Sequence, residues 1–210
     1  MRFSYSCFIS YCHGQGYLMT RFIEELREAL EASLEPVLVE KVFIDEARLK
    51  PGYLYNEVLA SAICRSLCMV VVYSPIYERH PYCLREYRAM EILQEQRMEM
   101  LQSSLGRRAG LIVPILLRGK VADLPQKIKE HIHFCDFSKF TTASPKIRRN
   151  RAYVEKIELI AEYIYELYQD FEKVNCDPCR DCGIFSLPAE SEVAPWRIPV
   201  QVSEARLPLT

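Results

Sequence analysis

Apolar positions along the chain follow two rhythms, short unbroken runs and stripes of helical period, and the two alternate through most of its length. Tyr5–Ser10 is a short apolar run that predicts a first strand, and Tyr11-Cys12-His13-Gly14-Gln15-Gly16 reads as the loop after it. Leu18, Phe22, Leu26, Ala29 and Leu30 then recur at helical spacing, with Arg21, Glu24, Glu25 and Glu28 elsewhere around the turn. Pro36 ends that helix at or before Glu35, because the residue before a proline is pushed out of the helical region. The β-branched stretch Val37–Ile44 predicts a second strand, ending at Asp45-Glu46. Pro51-Gly52 marks a turn within Ala47–Tyr53, and Leu54, Val58, Leu59, Ala62 and Ile63 form the face of a second helix.

Cys68–Tyr73 shows no alternation at all, which places it in a sheet covered on both faces. Ser74-Pro75 closes it, and a long helix is expected from about Tyr82 to Gln102. A fourth apolar strand, Leu111–Leu117, follows, then a short helix around Leu124–Glu130 and a weak fifth strand near Ile132–Phe137. Tyr153, Ile157, Ile160, Ala161, Ile164, Tyr168 and Phe171 make one stripe, the last helix. Strand–helix alternation of this kind predicts an α/β fold with a doubly wound, five-stranded parallel sheet. Working sites in such sheets lie beyond the carboxyl ends of the strands, at a topological switch point. Ser10–Gly16, Asp45–Tyr53 and Ser74–Glu86 are thereby expected at one edge.

Composition divides the chain without changing this reading. Residues 1–172 carry the alternation, whereas residues 173–210 hold five of the 12 prolines, three of the nine cysteines and the only tryptophan, with little periodicity. We read a single domain over 1–172 and an irregular tail over 173–210. Trp196, between Pro195 and Pro199, could anchor a partner or fold back on the domain. A formal charge of -1 argues against DNA or an anionic membrane as main partner. The apolar runs fall far short of the roughly 20 residues of a membrane span. The N-terminus has no apolar signal core, so export is not expected and a cytoplasmic protein is. In that setting the cysteines read as buried or free thiols, not as a disulfide framework.

The usual chemical motifs are mostly missing. Gly14-Gln15-Gly16 begins like a dinucleotide fingerprint, but Met19 stands where the third glycine is needed, so a flexible loop is the better reading. There is no phosphate-binding P-loop sequence, no HExxH and no nucleophile elbow. A receiver domain would need acidic residues after the first strand, where Tyr11, Cys12 and His13 stand. Cys176, Cys179 and Cys182 form C-x2-C-x2-C, but zinc takes four ligands, and only Cys135, His131 or His133, folding back, could complete a site. Thiols in a loose tail are the simpler reading. Lys146, Arg148, Arg149 and Arg151 read as a solvated helix start, since no aromatic platform accompanies them. Glu86 stands out by position: it lies one helical turn from Tyr82, near the start of the long helix at the expected edge. An acid there is favoured by the helix macrodipole alone, and Glu91 and Glu95 make the helix acid-rich, so catalytic and structural readings both stay open.

Three blocks, in order, resemble the Toll/interleukin-1 receptor (TIR) domain, particularly its prokaryotic form. They are Tyr5-Ser6-Cys7-Phe8-Ile9-Ser10-Tyr11; Val42-Phe43-Ile44-Asp45-Glu46 continuing through Leu49-Lys50-Pro51-Gly52; and Ser74-Pro75-Ile76-Tyr77 followed by Tyr82-Cys83-Leu84-Arg85-Glu86. The resemblance covers roughly residues 3–172 and implies a flavodoxin-like five-stranded sheet. Many domains of this type cleave NAD⁺ at the nicotinamide–ribose bond, and the family's catalytic glutamate falls on Glu86. Its aromatic partner falls on Tyr82, and its nucleotide-lining residues on Phe8 and Ser10, with Tyr11 adjacent. NAD⁺ is then the substrate, with no cofactor and no metal required. The chemistry suits these residue types: nicotinamide leaves as a neutral group from an oxocarbenium-like ribose. A carboxylate can stabilise the developing charge, and aromatic rings can stack on the cationic nicotinamide.

The chain departs from the family in carrying Tyr82 for a tryptophan, His80 for a serine, and Cys12-His13-Gly14-Gln15 where an acid commonly follows the first box. His80 reads as a surface residue or as a polar contact to substrate. The resemblance implies an NAD⁺ glycohydrolase or ADP-ribosyl cyclase releasing ADP-ribose, or a cyclic or conjugated form of it. A small protein of this kind resembles the signal-producing component of Thoeris-type anti-phage systems, which acts on a separate effector. The alternative is a non-enzymatic adaptor. In either case the Asp45–Tyr53 loop is expected to mediate self-association.

Overall fold

The structure is a computed structural model, described here for residues 3–14, 16–44, 55–105, 110–129, 135–140, 147–174 and 177–196. Five parallel strands, β1 (Tyr5–Tyr11), β2 (Lys41–Phe43), β3 (Ser66–Tyr73), β4 (Ile112–Leu116) and β5 (Cys135–Asp136), form one sheet in the order β2-β1-β3-β4-β5. This is the α/β, flavodoxin-like arrangement expected from the sequence. Its switch point lies between β1 and β3, where the connections leave in opposite directions.

The helices are α1 (Tyr17–Leu34), α2 (Tyr55–Cys64), α3 (Pro81–Leu105), α4 (Gln126–Lys129) and α5 (Arg151–Lys173). α1 packs on α5, and α2 on α3. Every residue of β3 is buried, as an unbroken apolar strand in a covered sheet requires. β3 begins two residues before Cys68, at Ser66. The largest shortening is at β2, which keeps three residues of the expected Val37–Ile44. Leu38 N–H bonds back to the Leu34 carbonyl at 2.8 Å, so the chain after Pro36 completes a turn first, and Val39 is left exposed. The expected fifth strand falls partly outside the described residues and contributes only Cys135–Asp136 within them.

Gly14 and Gly16 both have positive φ, 76° and 83°, and the Gly16 carbonyl accepts the first bonds of α1 from Met19 and Thr20. The glycines shape the entry to α1. Arg148 reaches Glu25 and Glu28 on α1, and Asn150 caps α5 by accepting from Tyr153 N–H at 3.3 Å. That part of the basic cluster is a helix start pinned to its neighbour; Lys146 lies outside the described residues.

The thiol expectation needs correction. Cys64, the last residue of α2, is disulfide-bonded to Cys182 in the tail, with Cα atoms 5.5 Å apart. The pairing spans 118 positions and arises because the tail returns across the start of β3, a tertiary fact with no trace in local spacing. It also removes Cys182 from the C-x2-C-x2-C set considered for zinc. The rest of the described tail is irregular apart from a 3-10 turn at Glu190–Glu192, yet Cys182 and Leu187 join the main core.

Candidate active site

β1 alternates its side chains, so Phe8 and Ser10 share one face and Ser10 stands at the carboxyl end of the strand. α3 begins at the same edge of the sheet, and its second turn presents Glu86 inward, only 3% exposed. The Ser10 hydroxyl donates to Glu86 Oε2 at 2.5 Å. Behind Ser10 stands Tyr77, fully buried in the 3-10 turn Tyr77–Arg79, its hydroxyl 2.7 Å from Ser10 Oγ and 3.2 Å from the Cys83 carbonyl. With Glu86 as the carboxylate, the Ser10 proton is committed to it, and the single Tyr77 phenol proton is shared between Ser10 Oγ, the nearer acceptor at 2.7 Å, and the Cys83 carbonyl at 3.2 Å. A directed chain Tyr77→Ser10→Glu86 results, each bond polarising the next in a low-dielectric setting. Burial pushes the Tyr77 phenol well above its ordinary range, so it holds its proton and remains the donor.

Tyr82 occupies the rim, 40% exposed. Its ring meets Tyr55 edge-on at 5.4 Å, and the Arg85 guanidinium lies 5.4 Å from its centroid. Tyr11 is buried and stacks on His13 at 4.3 Å. Phe8 is buried throughout and stacked on Phe43 at 5.3 Å. The fold therefore brings Ser10 and Glu86 into contact, keeps Tyr82 at the surface one turn away, and sets Phe8 among the core rings. The Asp45–Tyr53 loop lies outside the described residues.

Sequence reasoning missed two contributors, Tyr77 and Glu78, and left a third, Trp196, between two alternatives. Tyr77 was visible only as part of the Ser-Pro-x-Tyr block; nothing local shows that its hydroxyl supports Ser10. Glu78, a second buried carboxylate at this edge, accepts from the Tyr73 hydroxyl at 3.0 Å. Trp196, for which the sequence left partner anchoring and folding back both open, folds back on the domain, its ring 5.8 Å from Tyr77 and 4.7 Å from Tyr87 and its backbone N–H bonded to the Glu78 carbonyl at 3.4 Å. Arg85 Nε–H also donates to the Pro188 carbonyl at 2.6 Å, so the tail braces the first turns of α3.

One group of ligating side chains gathers beside this site. Cys12, His80 and Cys83 place their Sγ and ring-nitrogen atoms within 4.8 Å of one another. His80, expected as a surface residue or a substrate contact, is part-buried, and its Nδ1 is enclosed with no hydrogen-bond partner among the described residues. The hydrogen bond with the neighbouring Cys12 thiol, then burial and the charge of Glu86, hold the Cys83 thiol far above its usual range.

A five-stranded parallel sheet with a buried carboxylate at the switch-point edge defines the class: an α/β domain whose site is assembled from the ends of β1 and β3 and the start of α3. The family model for the TIR domain matches residues 7–149, and the chain belongs to the TIR domain family. Among solved structures it is similar to the TIR domain of the Toll-related receptor TRR-2 from the lower metazoan Hydra magnipapillata. That crystal structure is 20% identical, with a TM-score of 0.41, covering 64% of this chain and 86% of the other. No curated protein matches the sequence. Among the described residues no helix is long and apolar enough to cross a membrane.

Proposed function

We propose that the protein cleaves NAD⁺ at the nicotinamide–ribose bond, with Glu86 as the catalytic carboxylate. The observation that carries this reading is the buried Glu86 at the switch-point edge, oriented by Ser10 at 2.5 Å with Tyr77 behind it. Leu93 and Met90 continue the same helix face with apolar side chains, so an acid at 86 exceeds what packing there requires. In the reaction, the nicotinamide–ribose bond breaks and its electron pair leaves with nicotinamide, which becomes neutral. The ribose carbon takes on oxocarbenium character, and a fixed carboxylate stabilises that charge without reorganising. Tyr82 at the rim offers a ring for the cationic nicotinamide before departure. Water, or a nucleophile within the substrate or a second molecule, then captures the ribose, giving ADP-ribose or a cyclic or conjugated form. In anti-phage immunity such a product would act on a separate effector.

The adaptor reading is favoured by one specific observation: Glu86 is already satisfied internally by Ser10, as a structural peg would be. The two readings separate in one assay. Purified protein is expected to release nicotinamide from NAD⁺, and Glu86→Gln to lose at least roughly 100-fold, the scale of removing one preorganised charge-stabilising group. Equal release by the variant would leave the adaptor reading in possession. Mass spectrometry of the same reaction identifies the product. Self-association through the Asp45–Tyr53 loop belongs to this proposal, and specific activity is then expected to rise with protein concentration. A flat dependence would remove assembly from the account.

A further inference from the structure

We propose that Cys12, His80 and Cys83 form a binding site for a thiolate-seeking divalent cation, zinc above all, beside the Glu86 site. The three residues come from two segments that only the fold unites. Cys12 follows directly on β1, whereas His80 and Cys83 bracket the start of α3. His80 and Cys83 are three positions apart at the helix start, which sets both on one side of it, and the end of β1 delivers Cys12 to that side. The resulting ligand atoms lie within 4.8 Å of one another, close enough to surround a single ion.

The donor set selects the metal. Two sulfurs and one imidazole suit zinc and related soft ions and are poor ligands for magnesium or calcium. Cys2His with a fourth position left open is a recognised zinc arrangement. Charge agrees as well: two thiolates balance a divalent ion, so the centre is neutral and tolerates burial beside a carboxylate. An independent sign is the enclosed Nδ1 of His80, which has no hydrogen-bond partner among the described residues. A buried polar atom left unmatched is unfavourable, and metal ligation would satisfy it. Cys12 Sγ donates to the His13 carbonyl at 3.6 Å and Cys83 Sγ to the Tyr11 carbonyl at 3.5 Å, and the two thiols also interact with each other. Binding replaces these contacts: each sulfur loses its proton to solvent and forms a bond to the ion.

Occupancy would tie together the two segments that hold Glu86, because Cys12 lies just past Ser10 and Cys83 one turn before Glu86 on α3. The site does not depend on whether Glu86 acts on NAD⁺.

The test uses the full chain with its thiols reduced, stripped of metal and titrated with Co²⁺ as a spectroscopic stand-in for Zn²⁺. The expected result is a thiolate-to-cobalt charge-transfer band with tetrahedral visible bands, saturating at one ion per chain and bleached by Zn²⁺. Cys12→Ser and His80→Gln should each weaken binding by at least about tenfold, the lower bound for disturbing even an outer partner of a metal site. His80 is the least buried of the three, so His80→Gln is the variant expected to stay folded, as far-ultraviolet circular dichroism would verify. The double variant Cys176→Ser/Cys179→Ser should bind as the wild type does. No thiolate band in the wild type, undiminished affinity in either site variant, or loss of the band in the tail variant would overturn the proposal.

Discussion

α3 carries two buried charges that face the same way and do different things. Glu86 and Arg97 are separated by 11 residues, three full turns and a little more, or about 16 Å along the axis. Met90 and Leu93 lie between them on the same buried stripe. Glu86 meets the carboxyl end of β1 through the Ser10 hydroxyl. Arg97 meets the opposite end of the sheet, where its guanidinium donates to the carbonyls of Ser66 at 3.0 Å and Pro178 at 3.3 Å, and to that of Cys64. The Phe3 ring lies 5.1 Å from the same guanidinium. Arg97 thus binds backbone from β3, α2 and the tail into one knot, next to the Cys64–Cys182 bond. Desolvation lowers its pKa to about 10, still leaving it charged at neutral pH. A buried charge spent on backbone carbonyls of three segments is doing structural work. One held by a hydroxyl relay at the switch-point edge is the carboxylate to which the proposed reaction assigns its chemistry.

The contrast can be broken at either end. The largest effect is expected from Arg97→Met, which leaves buried carbonyls of Cys64 and Ser66 without their donor and should cost about 3 kcal/mol or more in denaturant unfolding. Nicotinamide release per folded molecule should be unchanged; a selective loss of activity would erase the distinction between the two ends. Next in size, replacing both Cys64 and Cys182 by serine should lower stability by about 2–4 kcal/mol, again with the reaction intact. At the other end, Tyr77→Phe keeps the ring among its neighbours but removes the donor behind Ser10. We expect about a tenfold loss in turnover, the equivalent of one hydrogen bond of about 1.4 kcal/mol. Because the Tyr77 phenol stays protonated, the wild-type rate profile should show no tyrosine limb near its ordinary 10.0. Such a limb, vanishing in Tyr77→Phe, would contradict the relay.

Much of the body was legible because burial on both faces writes itself into sequence. β3 and β4 are unbroken apolar runs, and the stripe of α5 keeps its period from Tyr153 to Phe171. Val37–Val39 misled because β-branched residues can also follow a proline into a turn, and only the hydrogen bonds to Leu34 decide between the two. Glu86 was readable as an acid near a helix start, but the role proposed for it came from the resemblance, since the same residue type is favoured there by the helix dipole. Arg97 left a faint signal, a charge continuing the stripe of Met90 and Leu93. Trp196 left an ambiguous signal, a tryptophan among prolines that could fold back or not, whereas the Tyr77–Ser10 contact and the Cys12–His80–Cys83 group left none, because each acts through partners distant in sequence.

The central claim is that the Glu86 carboxylate is kept for catalysis, and the most direct measurement is nicotinamide release from NAD⁺ by Glu86→Gln at matched folded concentration, with unfolding followed in parallel. The account predicts a loss of at least roughly 100-fold in release with a stability change small beside that of Arg97→Met. Full release by Glu86→Gln, or a collapse in stability matching Arg97→Met, would contradict it.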